Sequence, residues 1–106
     1  MPPVDRAQIE QGVVQALRQV YDPEIPVNIH ELGLIYGVEV SQVGAVAIRM
    51  TLTAAGCPAA QSLPEEVERR ARAVPGVTDV RVEVTFDPPW DQSRMSEAAR
   101  LQLGLL

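Results

Sequence analysis

Cys57 has the side chain and setting best suited to chemistry in this sequence. It stands in Ala54-Ala55-Gly56-Cys57-Pro58, after an alternating apolar run and before a helical one. Backbone N–H groups at a helix start favour an anion and lower a thiol's pKa towards thiolate, the form that binds soft metals or attacks an electrophile. A cysteine with neither task is simply a small buried hydrophobe. A second group is His30 and Glu31, with Asp22 and Glu24 upstream. An imidazole beside carboxylates could move protons, or supply nitrogen and oxygen ligands to iron or zinc. Asp22-Pro23-Glu24 is equally well explained as a turn in which Asp bonds its own backbone, and one histidine without an HxxxH or HxH partner is a weak metal pattern. Trp90, after Pro88 and Pro89, either plugs the edge of the core or anchors a partner.

The elements that must position these residues follow from periodicity. Asp5 reads as the cap of a helix over 6–20, with Gln8 in the capping-box position and Ile9, Val13, Leu17 and Val20 as its apolar stripe. Residues 22–33 hold two prolines, an Asn and a Gly, so they read as a loop. A loop of that length in a small domain is often functional. Residues 34–40 alternate, with Leu34, Tyr36, Val38 and Val40 on one face. Residues 45–53 alternate again, with Val46, Ile48, Met50 and Leu52 inward and Arg49, Thr51 and Thr53 outward. The short turn between them predicts a hairpin. The next helix starts either after a Ser62 cap, with Pro64 in its first turn, or at Pro58 with Cys57 as cap and Pro64 as a kink. Leu63, Val67, Ala71 and Val74 mark its buried stripe in both cases, and Pro75-Gly76 ends it. A third strand over 77–86 carries Val80, Val82, Val84 and Phe86 on one face, and a last helix over 97–103 is capped by Ser96 and stopped by Gly104. The expectation is a compact α+β single domain over residues 1–106. It has a three-stranded sheet, a hairpin plus one further strand, with helices packed on one face in the order α-β-β-α-β-α.

Composition removes several function classes. At 106 residues the chain suits one domain, and burial of roughly 65% of its unfolded surface supports a core without staples. Apolar residues at 46% and charged residues at 22% are ordinary for a globular protein. No run approaches the roughly 18 apolar residues of a membrane span. Met1-Pro2-Pro3-Val4-Asp5 lacks the basic start and apolar stretch of a signal peptide. A net charge of −5 argues against nucleic acid, because neutralising phosphates needs a basic face. One cysteine excludes an internal disulfide and a multi-cysteine zinc site within one chain, and points to the cytoplasm. All nine basic residues are arginine, so no lysine can form a Schiff base. Arg69, Arg70 and Arg72 beside Glu65, Glu66 and Glu68 read as a solvated helix face with i,i+4 pairs. Neither a Gly-rich phosphate loop nor a nucleophile elbow occurs.

Three segments carry a resemblance. The first is Tyr21-Asp22-Pro23-Glu24-Ile25-Pro26-Val27-Asn28-Ile29 with Glu31-Leu32-Gly33-Leu34-Ile35-Tyr36. The second is Met50-Thr51-Leu52-Thr53 through Gly56-Cys57-Pro58. The third is Pro75-Gly76-Val77, Asp87-Pro88-Pro89-Trp90, and Arg94-Met95-Ser96-Glu97-Ala98-Ala99-Arg100-Leu101 with Leu103-Gly104. Together, over about residues 7–106, they resemble the small iron–sulfur cluster assembly family, which includes SufT-like and PaaD-like bacterial proteins. The resemblance implies a protein that helps mature iron–sulfur enzymes and does not itself turn over a metabolite. It places the family's cysteine at Cys57, its Asp-Pro-Glu turn at Asp22, Pro23 and Glu24, and further pattern positions at Thr53 and Trp90.

The cargo implied is a transient iron–sulfur cluster or iron, and the partners are the assembly machinery and client apoproteins. A cluster normally takes four thiolates, and one chain offers one. The other ligands would come from a second subunit in a homodimer, a client, a small thiol, or groups such as Asp22, Glu24, His30, Glu31 and Thr53. PaaD-like members carry a C-terminal cysteine-bearing extension and this sequence stops at Leu106, so a SufT-like protein is expected over an oxygenase-pathway accessory protein. Two rival expectations stand beside this one. The first is a metal-free adaptor that docks clients through Pro88, Pro89 and Trp90. The second is a thiol enzyme with Cys57 as nucleophile and His30 as base.

Overall fold

A computed structural model describes residues 5–21, 27–53 and 59–104 of the chain. Asp5 caps the first helix, α1 (Arg6–Leu17). Its carboxylate accepts from the N–H groups of Ala7 at 3.0 Å and Gln8 at 3.3 Å, satisfying donors that a helix start leaves without internal partners. Ile9, Val13 and Leu17 are buried along one stripe. The helix closes three residues before Val20, with i→i+3 bonds from Gln19 and Val20 to Ala16 and Leu17, and Val20 is still buried.

Strands β1 (Ile35–Val40) and β2 (Ala45–Met50) pair antiparallel across the turn at 41–44. Gly44 adopts a φ of +85° there, and the Ser41 hydroxyl accepts from the N–H groups of Val43 and Ala45. Strand β3 (Asp79–Val84) lies parallel to β2, so the sheet order is β1-β2-β3 with β2 central. Parallel neighbours need a crossover, and α2 (Ala59–Arg72) supplies it. Of the two expected starts for this helix, the longer is adopted: Pro64 lies inside α2, and the Ser62 start is not used. Leu63, Val67 and Ala71 are buried, while Glu66–Arg70 and Glu68–Arg72 pair at 3.8 and 2.9 Å on the solvent side. A 3-10 turn at Gln92–Arg94 leads to α3 (Glu97–Gln102), where the Ser96 hydroxyl accepts from the Ala99 N–H.

Helix α1 packs on β1 and α2, and α2 packs on β3. Val46, Ile48 and Met50 from β2, with Leu52 beyond it, are buried beneath them, as the alternation predicts. The other side of the sheet exposes Ala47, Arg49, Arg81 and Glu83.

Three expectations about side-chain direction are corrected. Thr51 is fully buried rather than outward. Regular alternation stops at Met50, and the next stretch is drawn against the entry to β1 by a 2.8 Å bond from the Thr51 N–H to the Leu34 carbonyl. Tyr36 does not share the core face of Val38 and Val40; Ile35 does. The register slips between Ile35 and Gly37, and one extra residue in a strand re-aims its neighbours. Finally, Val84 and Phe86 are 36% and 46% exposed, although they continue the apolar face of Val80 and Val82. Strand β3 ends at Val84, short of the expected 86, and the cover thins along it: Val80 is buried, Val82 half-buried, Val84 open.

Candidate functional site

Residues 28–33, within the segment that reads as a loop, fold back as a tight turn. The Asn28 side-chain oxygen accepts from the Glu31 N–H at 2.9 Å, and the Asn28 and His30 carbonyls accept from Leu32 and Gly33. Gly33 has a φ of +79°, and a Cβ there would collide with the Arg94 carbonyl. Two further bonds fix the turn in place: Ile29 N–H to the Val20 carbonyl after α1, and Thr51 N–H to the Leu34 carbonyl after β2. Ile29 and Leu32 are fully buried, as is Leu34 just after them, so an apparent loop contributes a share of the core.

That turn sets His30 and Glu31. Glu31 Oε1 lies 3.0 Å from an Arg18 guanidinium nitrogen, so its carboxylate is already engaged. Its carbonyl accepts from the Ser96 N–H at 2.9 Å, tying the start of α3 to the turn. His30 is half-buried, and its Nδ1 is buried with no hydrogen-bond partner among the described residues. Burial lowers its pKa below the ordinary 6.5; nearby Arg18 lowers it further and Glu31 pulls back upward. The imidazole is therefore neutral near pH 7, the form that can ligate a metal.

Trp90 adopts the plugging role. Its Nε1 donates to the Leu32 carbonyl at 2.7 Å, and its ring packs against the core. Pro88 and Pro89 are exposed. The Pro88 carbonyl accepts from the Tyr36 hydroxyl at 2.8 Å, and the Arg94 guanidinium sits 4.6 Å from the centre of the Tyr36 ring. Arg18, Asn28, Tyr36 and Arg94 thus shape this end of the molecule, and none was singled out from sequence. The 3.6-residue phase of α1 puts Arg18 beside the buried Leu17, but nothing in spacing points it at Glu31, thirteen positions on.

Cys57, Asp22 and Glu24 lie outside the described residues, and so does any pairing of His30 with Cys57. Thr53 is half-buried at the last described position after β2. By chain order Cys57 belongs to the connection between Thr53 and α2, which leaves from the carboxyl end of the central strand. Among the described residues no three His, Cys, Asp or Glu side chains converge to hold a metal ion, and no helix is long and apolar enough to cross a membrane.

Comparison with known proteins gives concordant matches. Residues 10–84 match the model of a family described as iron-sulfur cluster assembly protein. A Porphyromonas gingivalis protein named Fe-S protein maturation auxiliary factor is 50% identical over 99 residues, covering 93% of this chain and 94% of that one. The Bacillus subtilis Fe-S protein maturation auxiliary factor YitW is 39% identical over 97 residues, covering 92% and 95%. A crystal structure of a domain of unknown function from Bacillus anthracis superposes with a TM-score of 0.88 at 35% identity, covering 95% of this chain and 96% of that one.

Proposed function

Because this chain belongs to the iron–sulfur cluster assembly protein family, we propose that it aids the maturation of iron–sulfur proteins as a SufT-like cluster assembly or transfer factor, with Cys57 as its metal-facing ligand. The observation that carries this reading is the near end-to-end match with a relative named as a maturation auxiliary factor. The topology supports it. In the parallel β2-α2-β3 unit the connection bearing Cys57 leaves from the carboxyl ends of the strands, the side on which α/β sheets bind their ligands.

The cluster, or iron, is cargo in this scheme. One thiolate leaves most of a cluster's coordination to other donors, which suits handing it on more than keeping it. Of the supporting groups, His30, whose Nδ1 has no hydrogen-bond partner among the described residues and whose pKa burial lowers, is chemically ready to help. Glu31 would first have to leave Arg18. Asp22, Glu24 and Thr53 complete the proposed set. The remaining ligands come from a second copy, a client apoprotein or a small thiol, and the work is done in the cytoplasm without catalytic turnover. Anaerobic reconstitution with iron and sulfide tests this. Visible charge-transfer absorption should appear in the wild type and vanish in Cys57→Ala; a colourless wild type overturns the metal role.

A second reading is a metal-free adaptor, favoured by exposed Phe86, Pro88 and Pro89 beside one another in the chain. Trp90 is the wrong probe for it, since its replacement acts through Leu32. Under this reading Pro89→Ala and Phe86→Ser weaken capture of clients while Cys57→Ala leaves it intact; the reverse pattern rejects it.

A further inference from the structure

On the side of the sheet that the helices leave open, a cavity of about 740 Å³ is lined by Gly33, Tyr36, Arg49, Asp91, Ser93 and Arg94, among others. Its volume falls within the range of small-molecule sites. The chain as a whole carries a net charge of −5, yet two of these six residues are arginines and one is acidic. Neither Arg49 nor Arg94 forms a direct ion pair among the described residues, although the Asp91 carboxyl is held below the usual range by its Ser93 hydrogen bonds first and by nearby Arg94 as well. Glu83, which faces Arg49 in the β2–β3 register, is not within ion-pair reach of it.

The Tyr36–Arg94 wall is held before any ligand arrives. Tyr36 is anchored through its hydroxyl to the Pro88 carbonyl, and its ring face holds the Arg94 guanidinium in a cation–π contact. The close approach of Gly33 to the Arg94 backbone locks the two segments together. Asp91, the acidic lining residue, spends one carboxylate oxygen on the Ser93 N–H at 2.7 Å and on the Ser93 hydroxyl, closing the 3-10 turn. Arg49 stands exposed on β2. A guanidinium fork matches the geometry of carboxylate and phosphate oxygens, and Arg94, held over Tyr36, loses little freedom on binding.

We propose that this cavity is an oxyanion-binding site, in which Arg49 and Arg94 together grip a carboxylate or phosphate group of a metabolite-sized ligand. Calorimetric titration at low ionic strength with two probes, inorganic phosphate and citrate, tests it on the full chain. Saturable one-to-one binding of at least one probe in the millimolar range or tighter is expected, and the probe that binds identifies whether phosphate or carboxylate is the natural group. Arg49→Gln and Arg94→Gln should each weaken binding by about tenfold or more, the scale of a lost charge-assisted contact. Should Arg94→Gln disturb the fold by freeing Tyr36, Arg49→Gln alone decides, because the exposed Arg49 side chain has no ion pair among the described residues. Absence of saturable binding to both probes, or affinity unchanged in Arg49→Gln, overturns the proposal.

Discussion

At the scale of single residues, Trp90 and His30 show how side chains far apart in sequence come to depend on each other. The Trp90 indole N–H satisfies the carbonyl of fully buried Leu32. Trp90→Phe keeps most of the ring but strands that acceptor, so it should cost about 1–2 kcal/mol; Trp90→Ala adds a cavity and should cost about 3 kcal/mol. Urea unfolding midpoints check both values, and a neutral Trp90→Phe would show that water replaces the bond. His30 makes a pH prediction. Its native pKa lies below the ordinary 6.5 because of burial first and Arg18 second. Between the two values the unfolded chain binds a proton that the native chain does not. Stability therefore rises with pH through that window, is complete above 6.5 and is lost as pH falls below it. His30→Gln should flatten this acid-side loss, and an imidazole titration by NMR should find the midpoint below that of a model peptide. Much at this scale was legible: Asp5 and Ser96 as caps, and the stripe Ile9, Val13, Leu17, are read from local spacing alone. Thr51 and Tyr36 were misread because a register slip and the end of a ladder are set by tertiary partners, Leu34 and Pro88, that lie many positions away.

At the scale of elements, local sequence pattern identified the three α-helices and three strands of the described residues but not the 3-10 turn at Gln92–Arg94. The errors fall where two elements compete for a few residues. Of the two starts left open for α2, the one that puts Pro64 inside the helix is adopted, where burial of Leu63 and Val67 outweighs one missing N–H. The parallel direction of β3 was not stated from sequence, although the fourteen residues of α2 are long enough for a crossover. The turn at 28–33 was the largest omission, because polar neighbours and the prolines before it concealed two fully buried side chains, Ile29 and Leu32. Gly33 is its weak point. Replacement by Ala must hold a φ of +79° and push a methyl into the Arg94 backbone, so Gly33→Ala should destabilise by at least about 2 kcal/mol. Thermal unfolding checks this. A loss limited to a few tenths of a kcal/mol would mean that the 91–94 segment moves aside freely, and the oxyanion cavity would then lose its fixed wall.

At the scale of the whole molecule, the segments that carry the family resemblance at the two ends of the chain turn out to be one piece of structure. Trp90 bonds Leu32, Ser96 bonds Glu31, Tyr36 bonds Pro88, and Gly33 abuts Arg94. The unit they form abuts the last residues of β2 through the Leu34–Thr51 bond, just before the connection that contains Cys57. Sequence shows the segments but not their union, because nothing local records which distant partner a turn will meet. That union contains no cysteine, and Cys57 is the one thiol of the chain. The stoichiometry then constrains assembly. If Cys57 holds a cluster whose other ligands come from a second copy and small thiols, loading must bring two chains together, since each contributes one sulfur towards the usual four ligands. Cluster-loaded protein should therefore sediment as a dimer, return to the mass of the unloaded form when a chelator strips the iron, and never shift in Cys57→Ala. A loaded species whose mass equals that of a single chain would instead place the remaining ligands on small thiols or on groups such as His30, and would rule out a shared site between copies.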